Sequence, residues 1–365
     1  MRFVEINDLK QGERIVRPIY NTDGVLLYGS GTKTDASVVA QLKRLDLFGL
    51  YVLDEQEPVP EISQEVLDME AFQTKEAHVI DEICRNLIAG KPINGLEETV
   101  DLIIRRFGFL KEPMHFNQSL RSKRDFVSKH TLNVAILTSM IAGKLNLEMK
   151  ERSYLVEAAF FYDIGKYLAP EGSLFKSGAL TEEELQEMRA ARQKGYALLK
   201  DNYAYPAGVR RYLIQLSKDM MNHTGAEWEH EEQNLLPGTR ILKVADIYDV
   251  LTAVRPYKAP KSPFSAYKIM IENPDEYELK YVEALAESLH ILPVGSYVQL
   301  TNGEQGIVIR ENDKTLERPI VLGFASNKMY DLSQAPVFRE VKIIDTVSTP
   351  DNRPQIKVDV GAVGG

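Results

Sequence analysis

The strongest constraint on this chain is the period of its apolar residues, which is helical from about residue 64 to residue 290. Phe72, Val79, Ile80, Ile83 and Leu87 recur at three- and four-residue spacing, and Gly90 and Pro92 end the run. Val134, Leu137, Ile141 and Leu145 form a second stripe. Val209, Tyr212, Leu213, Leu216 and Met220 form a third, Ile241, Val244, Tyr248 and Leu251 a fourth, and Tyr281, Val282, Leu285 and Leu289 a fifth. Thr181 to Glu184 reads as a capping box, with Leu180 and Leu185 placed as its hydrophobic staple. Several amphipathic helices in succession can bury their stripes only against one another, so a mainly α fold is expected.

The period changes at both ends. Residues 1–55 read as a small mixed β/α module. It has a hairpin signal at Asn21-Thr22-Asp23-Gly24, a short helix through Val38 to Leu45, and a strand at Leu50-Tyr51-Val52-Leu53. An acidic, proline-bearing stretch at 56–63 reads as a linker. From about 291 to 347 Val298, Leu300, Ile307 and Ile309 alternate with polar residues, which predicts a small β appendage. Residues 348–365 read as a flexible tail.

A chain of 365 residues suits two or three such units. Its net charge of -9 argues against a nucleic-acid partner held by a basic surface. An acidic protein can still bind phosphate in a locally basic pocket. The single cysteine, Cys84, forms no internal disulfide and no zinc site, and reads as a buried structural thiol. With no apolar run near the length of a bilayer span and no signal-peptide pattern, a cytoplasmic protein without a membrane span is expected.

Six histidines limit any metal site: His78, His115, His130, His223, His230 and His290. His130 opens the stripe continued by Val134, Leu137 and Ile141, and so faces the bundle interior. Asp163 ends an apolar helical run and needs a partner, because an unpaired buried carboxylate is costly. Lys166 or a helix cap is the plain partner; a metal ion is the sharper one. Asp246 repeats the situation without an adjacent cation, and Asp249 lies one turn further on the same face. One imidazole and two carboxylates from separate helices can converge in a bundle core on a divalent cation, iron or manganese rather than magnesium. Arg255 and Lys258 follow directly and have the chemistry to hold a phosphate, or simply form a solvated helix end.

Taken together these segments resemble the HD-GYP family of HD phosphohydrolases, over a core running from about Arg124 to Met270. Arg124-Asp125 through His130 is similar to the family's first ligand helix, and Tyr162-Asp163-Ile164-Gly165-Lys166 to its His-Asp-Ile-Gly-Lys signature. Val244 to Asp249 with Arg255-Pro256-Tyr257 is similar to its last ligand helix and substrate loop. The resemblance implies an HD-type helical bundle, metal ligands at His130, Asp163, His223 and Asp246, and phosphate contacts from Lys166, Arg255 and Lys258. Asp163 and Lys166 would carry the catalytic roles. It also implies a phosphodiesterase that linearises cyclic di-GMP by metal-assisted hydrolysis.

The departures limit that expectation. Tyr162 stands where the histidine of the His-Asp pair belongs, leaving a phenol as an unusual ligand. Ala191 stands where another histidine is expected, Asn222-His223-Thr224 replaces His-His-Glu, and the Gly-Tyr-Pro motif is missing. One ion is expected rather than two, or none. The expected function is a degenerate module that binds cyclic di-GMP or a related nucleotide, or contacts signalling proteins. A hydrolase working with a mononuclear site is the alternative, and a structural interaction protein the third reading.

Overall fold

The computed structural model describes residues 2–53, 59, 62–176, 178–222, 235–255, 260–312 and 315–347. The N-terminal module holds β1 (Arg2–Glu5), β2 (Arg14–Ile15), β3 (Ile19–Tyr20), β4 (Leu26–Tyr28), α1 (Ala36–Arg44) and β5 (Gly49–Leu53). β5 is central, with β1 and β2 antiparallel on its two sides. The expected hairpin joins β3 to β4. The Asn21 side chain accepts from the backbone N–H groups of Asp23 and Val25, and Gly24 takes φ +77° to complete the turn.

The helical part comprises α2 (Gln64–Ile88), α3 (Leu96–Phe107), α4 (Phe126–Lys144), α5 (Met149–Phe161), α6 (Glu171–Leu174), α7 (Glu182–Asn202), α8 (Ala207–Asn222), α9 (Pro237–Thr252), α10 (Pro263–Ile271) and α11 (Leu279–Ala286). Thr181 and Glu184 form the expected capping box at the start of α7. Among the described residues no helix is long and apolar enough to cross a membrane. Cys84 is buried on α2, where loss of water pushes its thiol up to about 12.

α4 is the axis of the bundle. The spacing of Val134, Leu137 and Ile141 predicts one buried face, but every residue from Phe126 to Ala142 is buried. α2, α3, α5, α9 and α11 all pack against it. A helix buried on all sides needs partners for the polar side chains it carries, and Lys129, His130 and Asn133 find theirs.

The C-terminal part comprises β6 (Tyr297–Leu300), β7 (Gln305–Arg310), β8 (Ile320–Gly323), β9 (Met329–Asp331), α12 (Ala335–Glu340) and β10 (Ile343–Thr346). The strands form one antiparallel sheet in the order β10-β6-β7-β8-β9. Its inward residues Val298, Leu300, Val308 and Val321 belong to the same apolar cluster as the helices, whereas the N-terminal module has a cluster of its own. The expected tail at 348–365 and most of the expected linker at 56–63 lie outside the described residues.

Two glycines fix the turn that carries the His-Asp-like signature. After α5 the chain makes a 3-10 turn, Ile164–Leu168, that packs along α7. A Cβ on Gly165 would collide with the backbone of Arg192, and one on Gly195 would come within 2.8 Å of Gly165. Backbone therefore meets backbone here, and Ala191 is buried in the same contact. Gly165→Ala is expected to cost roughly 1–3 kcal/mol through overpacking, read as a lower denaturation midpoint. An unchanged midpoint would show that the two backbones have room for a methyl group between them.

Candidate metal and phosphate site

Three helices and one turn bring the site together. His130 comes from α4, Tyr162 and Asp163 follow α5, and Asp246 and Asp249 come from α9. His130 is 2% exposed, so its imidazole must be satisfied within the protein. Its Nδ1 lies 2.7 Å from Asp249 Oδ2. Its Nε2 lies 3.1 Å from Asp246 Oδ1, 3.3 Å from Asp163 Oδ2 and 2.8 Å from the Tyr162 hydroxyl. Tyr162 in turn donates to Asp246 Oδ1 at 2.6 Å.

The electrostatics follow from this crowding. Burial and the nearby Lys166 charge push the His130 pKa down, but hydrogen bonds to Asp163, Asp246 and Asp249 outweigh them and hold it up to about 9. The imidazole is therefore charged at neutral pH, with a proton on each nitrogen. Burial opposes ionisation of Asp163, yet the Lys166 ammonium and His130 hold its carboxyl well below the usual range. Asp246 is also lowered, against burial, by His130 and then Lys166. Burial and the charges of Asp246 and Asp163 raise the Tyr162 phenol well above its ordinary value, so it stays protonated and acts as a donor.

Behind His130 stands a second layer that the sequence reading left without a role. Asp249 is fully buried and receives Arg121 Nη2 on both carboxylate oxygens, at 2.6 and 2.7 Å. It also accepts from Asn133 Nδ2 at 2.9 Å. Burial pushes the Asp249 carboxyl up, but the Arg121 guanidinium and then His130 overcome it and keep the group ionised. A carboxylate on Nδ1 fixes the ring so that Nε2 points into the cluster, the usual support for a metal-binding imidazole. Asn133 was findable, because it lies one turn from His130 and faces inward. Arg121 was not, because it precedes α4 in a segment without periodicity.

His130, Asp163 and Asp246 can each offer one ligand atom, and these atoms lie within 4.8 Å of one another. Asp163 Oδ1 is buried without a hydrogen-bond partner, as expected of an atom that a cation would satisfy. The donor set of one imidazole and two carboxylates suits iron or manganese. Asp246 keeps 29% of its side chain exposed and Lys166 19%, so the cluster opens to solvent on that side. Lys166 pairs with Asp163. Arg255 is half-buried, with its Nε lacking a hydrogen-bond partner. Burial lowers its pKa, while the charges of Asp249, Asp246 and Asp163 oppose that shift. His223 and Lys258, also expected at the site, lie outside the described residues, as does His230.

Residues 115–279 match the HD domain family. The chain is 27% identical over 61% of its length to a cyclic di-GMP phosphodiesterase of Pseudomonas aeruginosa, covering 52% of that protein. It is 29% identical over 51% of its length to a 3'3'-cGAMP-specific phosphodiesterase of Vibrio cholerae, covering 40% of it. A cyclic di-GMP phosphodiesterase of Thermotoga maritima is 26% identical over 47% of this chain and 48% of its own. The matched segment is similar to an HD domain. The chain spans about half the length, or less, of the curated relatives it matches. Within the matched segment the phenol of Tyr162 fills the position next to Asp163, and its hydroxyl reaches both His130 and Asp246.

Proposed function

We propose that the chain is a degenerate HD-GYP-type module of cyclic-dinucleotide signalling, which binds cyclic di-GMP or a related nucleotide with impaired or no phosphodiesterase activity. The observation that carries this reading is Tyr162. Its neutral hydroxyl bridges His130 and Asp246, where a histidine would add a ligand. Among the described residues the cluster offers one imidazole and two carboxylates. That is a ligand set for one ion, whereas the two-metal clamp of phosphodiester hydrolysis needs ligands for two, roughly 3.5–4 Å apart. The cations persist: Lys166 lies at the open side, and Arg255 has an unused Nε. They would hold a phosphate by charge and directed hydrogen bonds.

If loaded, His130, Asp163 and Asp246 would hold the ion, which would supply Lewis-acid polarisation of a phosphoryl oxygen and an acidified water. The protein's own groups do the rest. Asp249 and Arg121 hold the ring of His130, Lys166 and Arg255 orient the phosphate, and Tyr162 keeps a proton between His130 and Asp246. The test is titration of the full chain with cyclic di-GMP and with 3'3'-cGAMP. Expected is saturable binding that falls about tenfold or more in Arg255→Ala with Lys258→Ala, without turnover. Binding that survives both substitutions would remove the proposed phosphate site.

The clustering of His130, Asp163 and Asp246 favours a second reading, a mononuclear phosphohydrolase. It predicts metal-dependent cleavage of a model phosphodiester, abolished in Asp163→Asn.

A further inference from the structure

A cleft of about 910 Å³ lies between the N-terminal module and the helices, apart from the metal cluster. None of His130, Asp163, Lys166 or Asp246 lines it. Its size suits a small organic ligand rather than a bare ion, and Ile19 and Leu47 give it apolar wall. We propose that this cleft binds an organic phosphate, with the phosphate group at the start of α4.

Three observations place the phosphate there. First, α4 begins at the cleft with no side-chain cap. Asp125, at the cap position, accepts instead from the Ser122 backbone N–H and pairs with Lys129 at 2.7 Å. The first N–H groups of a long helix are left as anion donors, at the positive end of its dipole. Second, a cation without a carboxylate partner among the described residues stands at that end. Arg124 neutralises Asp46 at 2.9 Å, Lys129 neutralises Asp125, and exposed Lys123 lines the cleft beside them. Further along, Glu70 pairs with Arg17 and Asp81 with Arg85, while Glu171 is the remaining carboxylate of the lining and balances Lys123 over the cleft as a whole. Third, Ser119 lines the same cleft at 5% exposure, and its hydroxyl has no hydrogen-bond partner. A buried unpaired hydroxyl costs free energy unless a ligand or water satisfies it.

The cleft and the metal cluster share a wall. Lys129 precedes His130, and Leu120 and Ser122 flank Arg121, which holds Asp249 on the far side. The proposal nevertheless stands apart from the reading of the metal cluster.

The test uses the full chain with adenosine monophosphate and inorganic pyrophosphate as probes, adenosine as control, and hydrogen exchange to locate binding. Expected is saturable, millimolar or tighter binding of a phosphate probe but not of adenosine. It should weaken about tenfold in Lys123→Ala with Arg124→Ala, two exposed positions whose change spares the fold, and stay unchanged in Arg255→Ala. Protection should appear in residues 17–22 and 119–130. The proposal is overturned if neither probe binds at millimolar concentration or if binding ignores the Lys123 and Arg124 changes. Protection that maps to residues 160–170 and 242–255 instead would overturn it too.

Discussion

Arg121→Met lowers the unfolding free energy by about 3–5 kcal/mol, because it strands a fully buried carboxylate. Arg121 is 1% exposed and Asp249 0%, so water cannot replace the lost guanidinium. Among the described residues Asp249 would keep only Asn133 and His130 as donors. Urea denaturation reads the loss as a lower midpoint at unchanged slope. Arg121→Met with Asp249→Leu recovers part of it, since removing both charges is far less costly than removing one. A single-variant loss under about 1 kcal/mol would mean the pair is hydrated in solution, and with it the account of how His130 is held would fail.

Manganese is expected to bind roughly a hundredfold more tightly at about pH 8 than at about pH 6, with close to one proton released per ion. The proton is that of His130, whose pKa stands at about 9 without the ion. A cation on Nε2 must displace it, so apparent affinity rises about tenfold per pH unit until that value is reached. The metal-free fold has the opposite trend. A histidine raised above its unfolded pKa of ~6.5 stabilises the fold fully below that pH, and the contribution is lost as pH rises through about 9. Calorimetry in buffers of different ionisation enthalpy separates the proton from the ion. A pH-independent affinity would show that His130 is not a ligand.

The helical period foretold the bundle because each surface helix shows its buried stripe directly, as Ile80, Ile83 and Leu87 do on α2. It understated α4, where the stripe looked one-sided because serine, threonine and asparagine break the apolar pattern on the other faces. Those faces are buried too, and their small polar side chains fit close helix contacts. His130, Asp163 and Asp246 were legible as inward polar residues on apolar helices, and the structure brings them together. The Arg121–Asp249 pair was not, because its partners are 128 residues apart and one of them lies in an irregular segment. Nor does alternation in the C-terminal strands reveal what their inner face packs against. Val298 and Leu300 turned out to complete the core of the helices.

That continuity of core sets where the chain can be cut. The buried residues of the sheet from Tyr297 to Thr346 share one apolar cluster with the helices, so removing it is expected to leave the bundle with an open apolar flank. Helices and sheet should melt in a single calorimetric transition. The N-terminal module, whose apolar cluster reaches the rest through Leu120 and Val254, has the means to melt separately. A shortened version ending near residue 290 would then aggregate, although every candidate metal ligand is still in it.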